Sequence, residues 1–119
     1  MSEKNGKLKT RFYYTEYVNH MIRFYITCPE SLRMDGKKRA DVENWISVQG
    51  VLHGLPDDDR EKVLDVYRTH YNLPKAVDMY CQKTGTDKHD LWVLLTRVTA
   101  MIAKRRGLVS SGTIIYISV

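Results

Sequence analysis

Apolar residues recur along most of the chain at the three- and four-residue spacing of an amphipathic helix. The first stripe begins at Tyr14, and we expect its helix to end near Cys28 because Pro29 disfavours helical backbone in the residue before it. Residues 29–38 are predicted to form a loop, and a second helix follows from Arg39 to Leu52, with Gly54 as its stop. The residues at helical spacing are Tyr14, Tyr17, Val18, Met21, Ile22 and Tyr25 in the first stripe and Val42, Trp45, Ile46, Gln49 and Leu52 in the second.

Three further helices are predicted in the second half of the chain. Leu55-Pro56 starts the third helix, a fourth begins at Pro74 and stops near Thr84-Gly85, and a fifth starts after Thr86 or Asp87 and continues to Arg106. Their expected buried sides are Val63, Leu64, Val66 and Tyr67; Ala76, Val77, Met79 and Tyr80; and Leu91, Leu94, Leu95, Val98, Met101 and Ile102.

Asp57, Asp58 and Asp59 are consecutive in the first turn of the third helix. Consecutive positions point around a helix and do not converge, so we favour capping of the helix N-terminus over a metal site. No metal or cofactor is expected.

The pattern as a whole predicts an all-α fold of about five helices. Residues 1–11 are polar and basic and are expected to form a flexible arm, and residues 12–109 a single helical domain. Residues 110–119 form a tail, which is predicted to be a short strand over Thr113 to Val119 or a mobile segment.

The window from Tyr80 to Leu94 favours a helix-turn-helix over about residues 74–106. Such a motif needs a small residue where its two helices approach and a glycine four positions later, a spacing that Cys81 and Gly85 satisfy. Tyr80, Leu91 and Leu94 lie where apolar residues would close the angle between the helices. The segment from Asp87 onward would then be a recognition helix that enters the major groove of DNA.

The candidate DNA-binding residues are predicted on that helix and at its start. We expect Lys88, His89, Trp92 and Thr96 to point away from the buried stripe, where they would face bases or phosphates. The alternative interpretation is that Trp92 belongs to the core and that Lys88 and His89 are solvated surface residues. The full candidate set is Thr86, Lys88, His89, Trp92, Thr96, Arg97, Lys104, Arg105 and Arg106.

The distribution of charge supports a polyanionic partner. The formal net charge of +5 divides into +5 for residues 1–40, −5 for residues 41–65 and +5 for residues 66–119. Lysine and arginine that neutralise phosphates release counterions, which favours binding, although a basic surface also serves solubility. No apolar stretch is long enough to cross a membrane, and the basic N-terminus is not followed by the leucine-rich segment of a secretion signal, so we expect a cytoplasmic protein. In that compartment Cys28 and Cys81 are expected to be reduced thiols.

A family resemblance lies in the segment Leu55-Pro56-Asp57-Asp58-Asp59-Arg60-Glu61-Lys62-Val63-Leu64, followed by Tyr67 and the turn. It resembles the start of sigma-factor region four, in which such a helix precedes a helix-turn-helix. Over residues 12–108 the chain is similar to short phage-encoded, sigma-like transcription regulators of Gram-positive bacteria. The resemblance implies double-stranded DNA as partner, with RNA polymerase or a second copy of the chain alongside. We expect the promoter-melting domain of complete sigma factors to be absent.

Two functions therefore remain open from the sequence. The leading hypothesis is a sequence-specific DNA-binding transcription regulator of a prophage or mobile element, and the alternative is a protein-interaction module that binds RNA polymerase or a phage packaging partner. An enzyme is disfavoured, because the four histidines have no nucleophile or acidic partner at a motif spacing and the chain has no glycine-rich phosphate loop.

Overall fold

A computed structural model describes residues 12–28 and 38–109 of the chain, and this part is all-helical. The predicted basic arm, most of the predicted loop and the predicted tail strand lie outside the described residues. The five helices are α1 (Thr15–Thr27), α2 (Arg39–His53), α3 (Asp57–Thr69), α4 (Leu73–Thr84) and α5 (Lys88–Arg106).

Three of the helix ends have a clear local cause in the sequence. Asn72 caps α4, where its Oδ1 accepts a hydrogen bond from the Lys75 backbone N–H at 2.9 Å. The three consecutive aspartates occupy the first turn of α3, where their charge opposes the positive end of the helix dipole. Gly107 ends α5 with a φ of 86°, a left-handed conformation that glycine adopts without steric cost. These ends follow from local sequence.

The long helix α5 is the centre of the fold, because each of the other four helices contacts it. Burial of apolar side chains from all five helices into one cluster supplies the main stabilisation of the fold. The fully buried members are Val18, Met21 and Ile22 of α1; Val48 and Leu52 of α2; Val63 and Val66 of α3; Ala76 and Val77 of α4; and Leu91, Leu95, Val98, Ile102 and Ala103 of α5.

Four residues predicted on buried stripes are exposed, and these predictions were wrong. Tyr17 is 41% exposed, Ile46 48%, Met79 41% and Met101 37%. Each lies at the edge of its apolar stripe, and the neighbouring helices pack against a sector rotated away from it. In α2 the predicted Trp45 and Leu52 are buried, and the other buried positions are Asn44, Ser47, Val48 and Val51.

Polar contacts connect helices that are distant in the chain. The Arg23 guanidinium of α1 donates to the backbone carbonyls of Tyr67, His70 and Tyr71 at the end of α3. The Tyr67 hydroxyl donates to Asn19 Oδ1 at 2.6 Å, and burial raises the pKa of this hydroxyl. α1 therefore fixes both the C-terminal end of α3 and the connection into α4.

Neither cysteine forms a disulfide; Cys28 and Cys81 are both half-buried free thiols. Among the described residues, none of the helices is long and apolar enough to span a membrane. The same residues contain no group of three or more histidine, cysteine or acidic side chains placed to hold a metal ion.

Candidate nucleic-acid interface

The connection between α4 and α5 is a short turn with a glycine at the end of α4 and a capping residue before α5. Gly85 adopts a φ of 79° and its N–H donates to the Cys81 carbonyl at 2.8 Å, which closes α4. Asp87 then caps α5, since its Oδ2 accepts from the Asp90 N–H at 2.9 Å. The hydroxyls of Thr84 and Thr86 lie 2.7 Å apart across the turn. The predicted turn glycine and helix cap are confirmed.

Two of the predicted DNA-binding residues project from the first turn of α5. Lys88 and His89 are both exposed, and Thr86 just before them is half-buried. Lys88 Nζ lies 2.6 Å from Asp78 Oδ1 of α4, and this hydrogen bond raises the pKa of the Lys88 ammonium. Of this pair, His89 is the one whose side chain has no charged partner among the described residues.

Thr96 was wrongly predicted to point away from the core. Its side chain is only 3% exposed, and its Oγ1 has no hydrogen-bond partner. Thr99 and Ala103 continue the same buried side of α5 towards its C-terminus. Because four helices pack around α5, its buried sector is wider than its apolar stripe and includes this second row of small residues.

Trp92 also does not face solvent freely. Its side chain is half-buried against the core and lines a groove of about 490 Å³ together with His20 and Arg23 of α1 and Tyr71 of the α3–α4 connection. Residues of α1 thus lie next to Trp92 and partly cover its ring. The ring is therefore not in the centre of the proposed DNA-binding surface.

The exposed side of α5 is a different stripe, which passes through Asp90, Arg97 and Lys104. A shallow groove of about 280 Å³ separates the N-terminal half of this stripe from α3. Lys62 of α3 and Arg97 of α5 both line it, and neither has an ion-pair partner among the described residues. The groove is lined by Asp59, Lys62, Asp90, Val93, Leu94 and Arg97.

Sequence reasoning missed Lys62 and Val93 as members of this surface. Lys62 is half-buried on α3, but nothing in its local sequence shows that this side of α3 lies beside α5. Val93 is half-buried at the rim of the groove. Its place follows from helical spacing, since it lies four residues after His89 and four before Arg97.

The basic residues at the end of α5 form a separate surface. With a rise of about 1.5 Å per residue, Lys104 lies about 24 Å along the axis from Lys88, roughly twice the width of a major groove. Lys104 and Arg105 are exposed, and Arg105 lies over Gly50 of α2, where an added Cβ would be 2.5 Å from its Nε.

Arg106 was predicted to bind DNA, but its side chain connects α5 to α2. Its Nε donates to Asn44 Oδ1 at 2.6 Å, and its Nη1 lies 3.4 Å from Glu43 Oε1 of α2. The guanidinium is therefore bound within the fold. Of the nine candidates, Thr86, Lys88 and His89 lie at the start of α5, Trp92 and Arg97 line grooves further along it, and Lys104 and Arg105 are exposed at its end. Thr96 and Arg106 serve packing and contacts between helices.

No protein family, curated protein or solved structure matches the chain.

Proposed function

We propose that the chain is a DNA-binding transcription regulator of the sigma-factor region four type, carried by a prophage or mobile element. The observation that carries the proposal is the α4–α5 unit, in which a left-handed glycine, a short turn and a capped second helix present an exposed helix start. A helix start of this kind is what helix-turn-helix proteins place in the major groove.

The proposed interface is the N-terminal half of α5 with the adjoining side of α3. Arg97 and Lys62 line one groove, have no ion-pair partner among the described residues and are assigned to phosphates. His89 is exposed in the first turn and is assigned to a base edge, and Val93 offers an apolar contact for a thymine methyl. Thr96 and Arg106 are excluded from this interface because they are committed to the fold.

The phosphate assignment is tested by the salt dependence of duplex binding. Each lost phosphate contact lowers the slope of log K against log salt by about 0.9. Arg97→Ala should therefore reduce the slope by about that amount for every DNA sequence. Arg39→Ala is the matched control, since it removes the same charge from a side chain of α2 that is 91% exposed. Equal slopes for Arg97→Ala and the parent protein would contradict the assignment.

The base assignment requires a cognate site selected from random duplexes with the parent protein. His89→Ala should then lose the preference for that site by about 1–3 kcal/mol while its affinity for non-cognate DNA changes little. A retained preference would remove His89 from the recognition surface.

A second surface favours the alternative function, binding to a protein partner such as RNA polymerase. A groove of about 530 Å³ between α2 and α5 has the apolar side chains of Val51, Leu55 and Met101 in its lining and carries Lys104 and Arg105. Binding of a protein here would be insensitive to Arg97→Ala and would be blocked by Met101→Lys. If such binding is found and DNA affinity is absent even at low salt, the interaction function replaces the first proposal.

A further inference from the structure

An ion pair connects the two helices of the helix-turn-helix beside its turn. Lys88 lies in the first turn of α5 and Asp78 lies in α4, and their Nζ and Oδ1 atoms are 2.6 Å apart. The two side chains are 58% and 53% exposed, so solvent and a ligand can reach both. An exposed pair of this kind contributes up to about 1 kcal/mol, so it can compete with a single contact between the ammonium and a DNA phosphate.

Lys88 is the only cation in the first turn of α5, where Asp87 and Asp90 are its acidic neighbours. The Asp87 carboxylate is already used, since it caps the helix by accepting from the Asp90 N–H. The Asp78 carboxylate is therefore the group that competes with a phosphate for the Lys88 ammonium. A phosphate can bind Lys88 only if the ammonium leaves Asp78 or is shared with it.

We infer that Asp78 is a specificity-determining residue, which holds Lys88 away from the DNA backbone and so keeps sequence-independent affinity low. This inference rests on the proposed function. With Lys88 restrained, binding at the start of α5 depends on contacts to base edges, while Arg97 and Lys62 supply the backbone contacts. Loss of the carboxylate frees the ammonium and adds one phosphate contact for DNA of any sequence.

The experiment is a double-mutant cycle measured on a mixed-sequence duplex of 20 to 30 base pairs, by fluorescence anisotropy between 50 and 200 mM salt. Asp78→Asn should increase the salt slope by about 0.9, which makes the affinity fall about 3.5-fold more across this salt range than it does for the parent. Lys88→Gln alone should change the salt slope by less than half of the amount expected for one phosphate contact. In the Lys88→Gln background, Asp78→Asn should have no effect.

Asp65→Asn is the matched control. Its side chain in α3 is 52% exposed and lies 3.5 Å from Arg68, so it removes an equally accessible, paired carboxylate from a neighbouring helix. General repulsion between carboxylates and DNA would make Asp78→Asn and Asp65→Asn equivalent and would give the same gain with or without Lys88. The cycle separates that effect from release of Lys88. Circular dichroism and thermal melting verify that each variant is folded.

Three results overturn the inference. The first is an unchanged salt slope in Asp78→Asn, and the second is an equal increase in slope when Asp78→Asn is made in the Lys88→Gln background. The third is a decrease in slope of about 0.9 in Lys88→Gln alone, which would make Lys88 an ordinary phosphate ligand. A parent protein that does not bind the duplex even at 50 mM salt would instead refute the proposed function, so the two failures are distinguishable.

Discussion

Two buried threonines one turn apart in α5 should respond differently to substitution by valine. Thr96 is 3% exposed and its hydroxyl has no hydrogen-bond partner, whereas Thr99 is 5% exposed and its hydroxyl donates to the Thr96 carbonyl at 2.9 Å. Valine has nearly the shape of threonine and a similar helix propensity. Substitution by valine at the two positions therefore isolates the hydroxyl.

The magnitude follows from the cost of a buried polar group without a partner, which is about 1–3 kcal/mol. Thr96→Val removes that cost and should raise the free energy of unfolding by about 1 kcal/mol, or the melting temperature by about 3–5 °C for a chain of this length. Thr99→Val removes a made hydrogen bond, typically worth about 0.5–1.5 kcal/mol, and should lower the free energy of unfolding or leave it unchanged.

Urea unfolding followed by circular dichroism measures both variants against the parent, and an unchanged m-value confirms that the same surface is exposed on unfolding. A destabilised Thr96→Val, or equal shifts in the two variants, would refute the placement of the Thr96 hydroxyl. DNA binding gives an independent check. Thr96→Val should leave affinity unaltered, and a lost site preference would restore Thr96 to the recognition surface.

Three further variants or titrations test the fold. Gly85→Ala should destabilise the protein by about 1–2 kcal/mol in urea unfolding because the residue has a φ of 79°, even though an added Cβ would meet no atom within 4 Å. Gly54 has a φ of −85°, so Gly54→Ala is the control and should not destabilise the protein. Equal losses of stability in the two variants would contradict the role of the left-handed backbone at Gly85. Burial raises the pKa of Tyr67, so the unfolded chain releases this proton first as pH rises, and stability should fall above pH 10 by up to about 1.4 kcal/mol per pH unit. Denaturant titrations between pH 9 and 11 measure the slope, and a stability that stays flat there would refute the burial. Arg23→Met should destabilise the protein by about 2 kcal/mol in the same assay through the lost carbonyl contacts, whereas a neutral result would show that water replaces them.

The helices were predictable from sequence because their signals are local. Pro29 and Gly107 each lie next to the helix end that they determine, and the aspartates at the start of α3 lie in its first turn. The turn at Gly85 was predictable for the same reason, since its spacing from Cys81 requires no knowledge of the rest of the fold.

The side of α5 that faces solvent was not predictable, because packing of helices distant in the chain decides it. Thr96 has a polar side chain and is nevertheless buried. Arg106 completes a basic run in sequence, but its partner Asn44 lies 62 residues earlier in the chain. Lys62 joins Arg97 only because α3 packs beside α5. Site residues on a central helix therefore require the tertiary arrangement.

The most direct test of the central claim is a titration of a labelled mixed-sequence duplex with the purified parent protein, followed by fluorescence anisotropy at several salt concentrations. We expect binding that weakens steeply as salt rises, because Arg97 and Lys62, which have no ion-pair partner in the described part of the chain, neutralise phosphates. Absence of binding at the lowest salt concentration would contradict the account and would direct the search to the groove between α2 and α5 and its protein partners.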